Sequence, residues 1–120
     1  MLNLDTHMVI HGLAGDLRPA EQRLLAGSSW AISAIVLWEL EMLFRLGRIS
    51  QDPQIGAFAA ALRQIAVLPI TRQVVAHLRL LDVKSDPANE LIAATSLSTG
   101  LPLVTRDRKL RASKVVPLAR

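Results

Sequence analysis

The sequence predicts an α/β fold, a three-layer α/β/α sandwich around a short, mainly parallel five-stranded sheet. Short apolar runs alternate along the chain with longer segments whose apolar residues recur at helical spacing. The runs do not alternate between apolar and polar residues, which is typical of parallel strands covered by helices on both faces. At 120 residues, 51% of them hydrophobic, the chain can enclose one core. We therefore expect a single domain over residues 1–120.

Five runs are short and apolar enough to form the strands of this sheet. They are Met1–Leu4, Trp30–Ser33, Ala66–Ile70, Leu101–Thr105 and Val115–Leu118. Helical segments lie between most consecutive runs, so the chain can cross from one strand to a parallel neighbour.

Six segments have the apolar spacing and the end signals of helices. They are His7–Ala14, Arg18–Gly27, Ala34–Leu46, Gln54–Ile65, Thr71–Leu81 and Asp86–Gly100. Pro19 lies in the first turn of the second segment, and Thr71 and Asp86 are placed to cap the fifth and sixth. Glycines stand where the first three segments are expected to end.

The composition excludes several classes of protein. There is no cysteine, which excludes a disulfide scaffold, a thiolate zinc site and a cysteine nucleophile. No apolar signal core precedes Asp5, and no apolar run approaches the roughly 18 residues that span a bilayer. We expect a cytoplasmic protein with no membrane association. The formal net charge is +4, and the stretch from Arg106 to Arg120 is rich in Arg and Lys, so a polyanionic partner is possible on charge alone.

Polar side chains stand where the predicted strands end. Asp5 follows the first strand, Ser33 ends the second, Thr105 ends the fourth, and Asp107 comes two residues later. Glu39 lies on the helix after the second strand. The carboxyl ends of parallel strands meet at one edge of a sheet, where ligands bind. Carboxylates gathered there repel each other and imply a cation, and a set of oxygen ligands favours Mg²⁺ or Mn²⁺ over zinc.

Each of these residues also has an ordinary structural alternative. Asp5 could cap a helix, Glu39 could face solvent from its helix, and Asp107 could be an ion-paired surface acid. His7 and His11 are one helical turn apart and could bind a metal, but they have no other metal-ligand pattern around them. Taken singly, the residues therefore do not decide between a site and a surface.

Four stretches taken together are more specific than any single residue. They are Leu4–His7, Ser33–Glu39, Asp86–Thr95 and Leu101–Asp107. In this order and at these separations they resemble the successive motifs of the PIN domain, above all those of the VapC toxins of bacterial toxin–antitoxin pairs. The resemblance extends essentially over the whole chain.

The resemblance implies a set of metal ligands. The family's metal-binding positions fall on Asp5, Glu39, Asn89 and Asp107. Asn89 is a departure, because the family usually has an aspartate before the Leu-Ile-Ala-Ala run. Asparagine keeps an oxygen acceptor and loses a charge, so we expect weaker metal binding or lower activity. Asp86 is interpreted as the helix cap.

The resemblance also implies an activity and partners. It implies an endoribonuclease toxin that uses Mg²⁺ or Mn²⁺, with Asp5, Glu39, Asp107 and Thr105 as catalytic residues. Thr105, at a strand end, is the hydroxyl expected to orient water or phosphate. It further implies a homodimer, a cognate antitoxin protein, and RNA, often tRNA or ribosomal RNA, as substrate. The side chains expected to bind the RNA backbone are those of Arg106, Arg108, Lys109 and Arg111.

Two other interpretations are considered. Because of Asn89, the chain could be a degenerate PIN domain that binds RNA or a partner protein without cleaving. A different magnesium-dependent phosphate enzyme would need other residues: a haloacid-dehalogenase-like phosphatase needs Asp-x-Asp after the first strand, where this chain has Asp5-Thr6-His7. A response-regulator receiver needs paired acids near the start and a lysine directly after a late strand, and the sequence has neither at those places.

Overall fold

The structure, a computed structural model, describes all 120 residues. The chain has four strands and seven α-helices, with at least one helix after each strand. The strands are β1 (Leu2–Leu4), β2 (Trp30–Ser33), β3 (Ala66–Leu68) and β4 (Leu103–Val104). The helices are α1 (Thr6–Ala14), α2 (Pro19–Ala26), α3 (Ala34–Arg45), α4 (Gly56–Leu62), α5 (Arg72–His77), α6 (Pro87–Thr99) and α7 (Arg108–Arg111), with a 3-10 turn at Leu78–Leu80. None of the helices is long and apolar enough to cross a membrane.

The sheet is parallel throughout and has the order β3-β2-β1-β4. Successive side chains of a strand point to opposite faces of its sheet. In β1, Leu2, Asn3 and Leu4 are all buried, and so are Leu103 and Val104 in β4. Both faces of the central strands are therefore covered by helices, which confirms the predicted three-layer α/β/α architecture.

The prediction of a fifth strand at Val115–Leu118 is wrong. The segment Val115–Leu118 contributes a single parallel bridge, between Leu103 and Leu118, and no regular strand. Pro117 has no N–H to donate, so only its carbonyl pairs, accepting from the Leu103 N–H at 2.8 Å. The sheet consequently has four strands, with the C-terminal segment lying beside β4.

The helices follow the predicted order, with differences at particular ends. α4 begins only at Gly56, because Ile55 is extended, and it stops at Leu62 rather than Ile65. The expected helix Thr71–Leu81 divides into α5 and the 3-10 turn, with Thr71 capping α5 as predicted. The four-residue α7 was not predicted, because one turn of helix is too short to show a repeating apolar pattern.

The core fixes the strand ends from which the site is built. It includes fully buried side chains from both sides of the sheet, among them Leu4, Ile32, Leu40, Ile92 and Leu110. Burial of a side chain of this size stabilises the fold by about 1.5–3 kcal/mol. Leu110, in α7, anchors the chain immediately after β4. The segments that follow β1, β2 and β4 are therefore held on a packed foundation.

Candidate active site

The carboxyl ends of β1, β2 and β4 lie at one edge of the sheet, because the three strands are parallel neighbours. Asp5 directly follows β1, Ser33 ends β2, and Thr105 directly follows β4. The edge of the sheet therefore brings together residues that are distant in sequence. Asp5 and Thr105, for example, are 100 positions apart.

Asp5 is the most buried acid of this edge, with 5% of its surface exposed. Its Oδ1 accepts the N–H of Met8 at 2.9 Å and thereby caps α1. Its Oδ2 accepts the hydroxyl of Thr105 at 2.5 Å. Asp5 therefore caps α1 with Oδ1 and contacts the site residue Thr105 with Oδ2, so the two interpretations of Asp5 are compatible.

Burial raises the pKa of Asp5, and the negative charge of Asp107 raises it further. The hydrogen bonds from Thr105 and Met8 and the nearby His7 imidazole oppose this increase only in part. The ionised carboxylate is therefore held where its charge is poorly compensated by the protein.

Thr105 joins Asp5 to Asp107. Its Oγ1 donates to Asp5 and accepts the Asp107 N–H at 3.0 Å, while its own carbonyl accepts Nη1 of Arg111 at 3.1 Å. Asp107 in turn caps α7, since its Oδ1 accepts the Leu110 N–H at 3.0 Å. Hydrogen bonds therefore hold the turn after β4 at both ends, and the Asp107 side chain is fixed by its bond to the Leu110 N–H.

Glu39 is half-buried on α3 and points toward the same edge. The hydroxyl of Thr6, the residue after Asp5, donates to Glu39 Oε1. Burial is the largest cause that raises the pKa of Glu39, followed by the charges of Asp86 and Asp5, while Thr6 and His7 lower it. The solvent-facing alternative is therefore wrong for Glu39. Ser33 has a different task, as its Oγ accepts the Ile35 N–H and caps α3.

Asn89 and Asp86 lie together in the first turn of α6. Asp86 caps this helix, as predicted, by accepting the Asn89 N–H at 2.9 Å. The side-chain amide of Asn89 donates to Ser85 Oγ at 3.2 Å. Asp86, which the sequence marked only as a cap, is close enough for its charge to raise the pKa of Glu39. Negative charge near the Asn89 position is thus supplied by Asp86.

A cleft of about 390 Å³ adjoins the acidic edge and shares Thr105 with it. We call it the arginine cleft. It lies between the start of α2, the turn from β4 into α7, and the C-terminal segment. The arginines that line it are Arg18, Arg106, Arg108, Arg111 and Arg120.

Arg106 is not free to bind a ligand with its full charge. Its Nε and Nη2 donate to the two carboxylate oxygens of Glu21 at 2.8 and 2.7 Å, and Nη2 also contacts the Asp16 carbonyl at 3.3 Å. This hydrogen-bonded pair lowers the pKa of Glu21 to about 2. Arg106 therefore links α2 to the turn that holds Thr105 and Asp107.

The model of the PIN domain family matches residues 3–115 of this chain. The chain belongs to the PIN-domain family. No curated protein matches it. The PIN domain assigned from the sequence motifs is thereby confirmed.

Solved structures with this fold include toxin–antitoxin complexes. The chain aligns with VapBC2 from Rickettsia felis, solved with a DNA fragment from its promoter, at 19% identity and a TM-score of 0.70 over 98% of this chain and 97% of that one. It aligns with DNA-bound VapBC from Salmonella typhimurium at 22% identity and a TM-score of 0.69, again over 98% and 97%. It aligns with FitAcB from Neisseria gonorrhoeae at 19% identity and a TM-score of 0.70, over 100% of this chain and 97% of that one. At these identities the likeness shows the fold.

PIN-domain nucleases generally use divalent metal ions, so we tested whether this site fits one. No three His, Asp or Glu side chains are placed to hold a single ion together. The donor chemistry nevertheless fits Mg²⁺ or Mn²⁺, since Mg²⁺ is usually bound by one or two carboxylates and keeps several waters. Asp5 and Glu39 are such carboxylates, and their raised pKa values indicate charge that a cation would stabilise. The residues present therefore fit an ion held through few direct protein ligands.

The four residues predicted to bind RNA are placed unequally. Arg108 and Arg111 line the arginine cleft, Arg106 lines it as the partner of Glu21, and Lys109 is exposed outside it. Arg18 and Arg120 line the cleft and were not predicted. Their approach depends on tertiary packing between distant segments, and no local sequence signal could have shown it.

Proposed function

We propose that this PIN domain is a metal-dependent endoribonuclease toxin that hydrolyses RNA phosphodiester bonds and is held inactive by a cognate antitoxin. The observation that carries the proposal is the link from Asp5 through Thr105 to Asp107, beside a half-buried Glu39. Buried, mutually repelling carboxylates reduce stability, so their convergence at a ligand-binding edge supports a catalytic use.

Asp5 and Glu39 are proposed to hold Mg²⁺ or Mn²⁺, with Asp107 and the carbonyl oxygen of Asn89 completing the set through water. The ion would supply Lewis-acid stabilisation of the charge that develops on the phosphate. Thr105 fixes the orientation of the Asp5 carboxylate through its hydroxyl. Thr6 does the same for Glu39. Positioned hydroxyl donors of this kind keep ligand carboxylates in one geometry.

The proposed partners are RNA and protein. Basic residues around α7 would attract the RNA backbone, with single-stranded loops of tRNA or ribosomal RNA as the proposed targets. The solved relatives are toxin–antitoxin complexes, and this supports an antitoxin as partner of this chain. We also propose a homodimer. The non-cleaving alternative has no support from the comparisons.

Substitution of Asn89 by aspartate tests the proposal as a gain of function. The new carboxylate adds negative charge to the first turn of α6, where Asp86 already acts on Glu39, so we expect cleavage of total RNA with Mg²⁺ or Mn²⁺ to increase about tenfold. Gel analysis of RNA after timed incubation measures it, and chelation with EDTA should stop cleavage by both proteins. Gln73→Glu, which adds an exposed charge on α5, is the matched control and should have no effect. Cleavage that persists equally in EDTA would contradict the proposed function.

A further inference from the structure

The arginine cleft has the size and lining of a nucleotide site. Its volume of about 390 Å³ falls within the range of about 300–1,000 Å³ that small-molecule pockets usually have. Apolar side chains of Leu24, Val104 and Ala119 line it together with the guanidinium groups. A flat base can lie against such an apolar wall while arginines bind the phosphate.

The charge of the cleft is strongly positive after its one ion pair is taken into account. The structure has two salt bridges, Arg106 with Glu21 and His11 with Asp16. Arg18, Arg108 and Arg120 therefore have no carboxylate partner. Arg111 uses one guanidinium nitrogen to donate to the Thr105 carbonyl and keeps its other donors. These donors can bind an anion without first breaking an ion pair.

One buried residue, Thr105, is common to the cleft and the acidic edge. Thr105 lines the cleft, and its hydroxyl contacts Asp5. A nucleotide in the cleft would therefore place the next phosphate of its strand toward Asp5.

We infer that the arginine cleft is a subsite for one nucleotide of the RNA strand, adjacent to the phosphate that is cut. The inference rests on the proposed function, which it extends by fixing the side from which the strand enters. Arg18 and Arg108 bind the phosphate of that nucleotide, and the base lies on the apolar wall. Because the cleft offers apolar contact and positive charge rather than a pattern of base-edge donors and acceptors, it accepts different bases.

Equilibrium binding of fluorescein-labelled hexauridylate and hexaadenylate tests the inference. The measurements use the Asp5→Asn background with Mg²⁺, so that the RNA stays intact. Arg18→Ala and Arg108→Ala should each weaken binding of both probes about fivefold to tenfold. Each should also reduce the slope of log K against log salt by about 0.7, the value for one lost single-strand phosphate contact.

Two exposed arginines outside the cleft serve as matched controls. Arg23 lies on α2, the helix that Arg18 precedes, and Arg72 lies at the start of α5. Arg23→Ala and Arg72→Ala should each change binding less than twofold in the same assay. All four variants should keep the parent melting temperature, because the replaced side chains are exposed.

The outcomes separate the subsite from the proposed function. Cleavage that depends on Asp5, combined with equal binding by Arg18→Ala and Arg23→Ala, would overturn the subsite alone. Weaker antitoxin capture with unchanged RNA binding would assign the cleft to a protein partner and overturn it as well. Cleavage that does not depend on Asp5 would overturn the proposed function itself.

Discussion

Replacement of Asp5 by asparagine is expected to reduce RNA cleavage on the order of 10³-fold or more while raising the free energy of unfolding at neutral pH. Asparagine can still cap α1 and contact Thr105, but it cannot supply the negative charge that holds a cation. Removal of a buried, poorly compensated charge should stabilise the fold by about 0.5–2 kcal/mol, as is common where function and stability conflict. Thermal unfolding and RNA cleavage by the same preparations measure both effects.

The stability difference should depend on pH in a defined direction. The pKa of Asp5 is raised in the folded protein above its ordinary value of 3.8, so between these two pKa values the folded state holds a proton that the unfolded state has lost. Ionised Asp5 therefore reduces stability above its folded pKa, and the reduction disappears as pH falls below 3.8. Asp5→Asn should exceed the natural protein in melting temperature at pH 7 and match it in acid.

Replacement of Thr105 by valine is expected to lower cleavage about 10–100-fold and stability by about 1–3 kcal/mol. Valine has nearly the same shape but leaves the Asp107 N–H without an acceptor and Asp5 Oδ2 without a donor. The hydrogen bond from Thr105 lowers the pKa of Asp5, so its loss should also move the acid limb of the cleavage profile to higher pH.

Serine at position 105 is the matched control for this prediction. It keeps the hydroxyl and loses only a methyl group, so cleavage and its pH profile should return close to those of threonine. If valine cleaved RNA as well as serine does, the hydroxyl would have no part in positioning Asp5.

The sequence predicted the acidic edge because its main determinants are local. Strand ends place Asp5 and Thr105, the helix after β2 places Glu39, and the parallel pairing of the strands brings these positions to one edge. The same strand-end argument failed for Val115–Leu118, where Pro117 prevents regular pairing. The apolar composition of this segment predicts a strand. The restriction on pairing becomes visible only when the missing N–H of Pro117 is considered.

Charge roles were harder to predict than positions. Arg106 was expected to bind RNA, but it is paired with Glu21, which lies 85 residues earlier in sequence. Asp86 was expected only to cap α6, yet its charge also acts on Glu39. Both effects arise from long-range packing, which one sequence without covariation does not reveal. The metal ligands and the RNA contacts remain predictions for the same reason.

Calorimetric titration with Mn²⁺ tests the central claim most directly. The natural protein should bind the ion, and Asp5→Asn, Glu39→Gln and Asp107→Asn should each weaken this same binding event about 10–100-fold. Glu41→Gln, two residues farther along α3, should bind as the natural protein does. Unchanged Mn²⁺ affinity in all three acid variants would contradict a shared cation site formed by Asp5, Glu39 and Asp107.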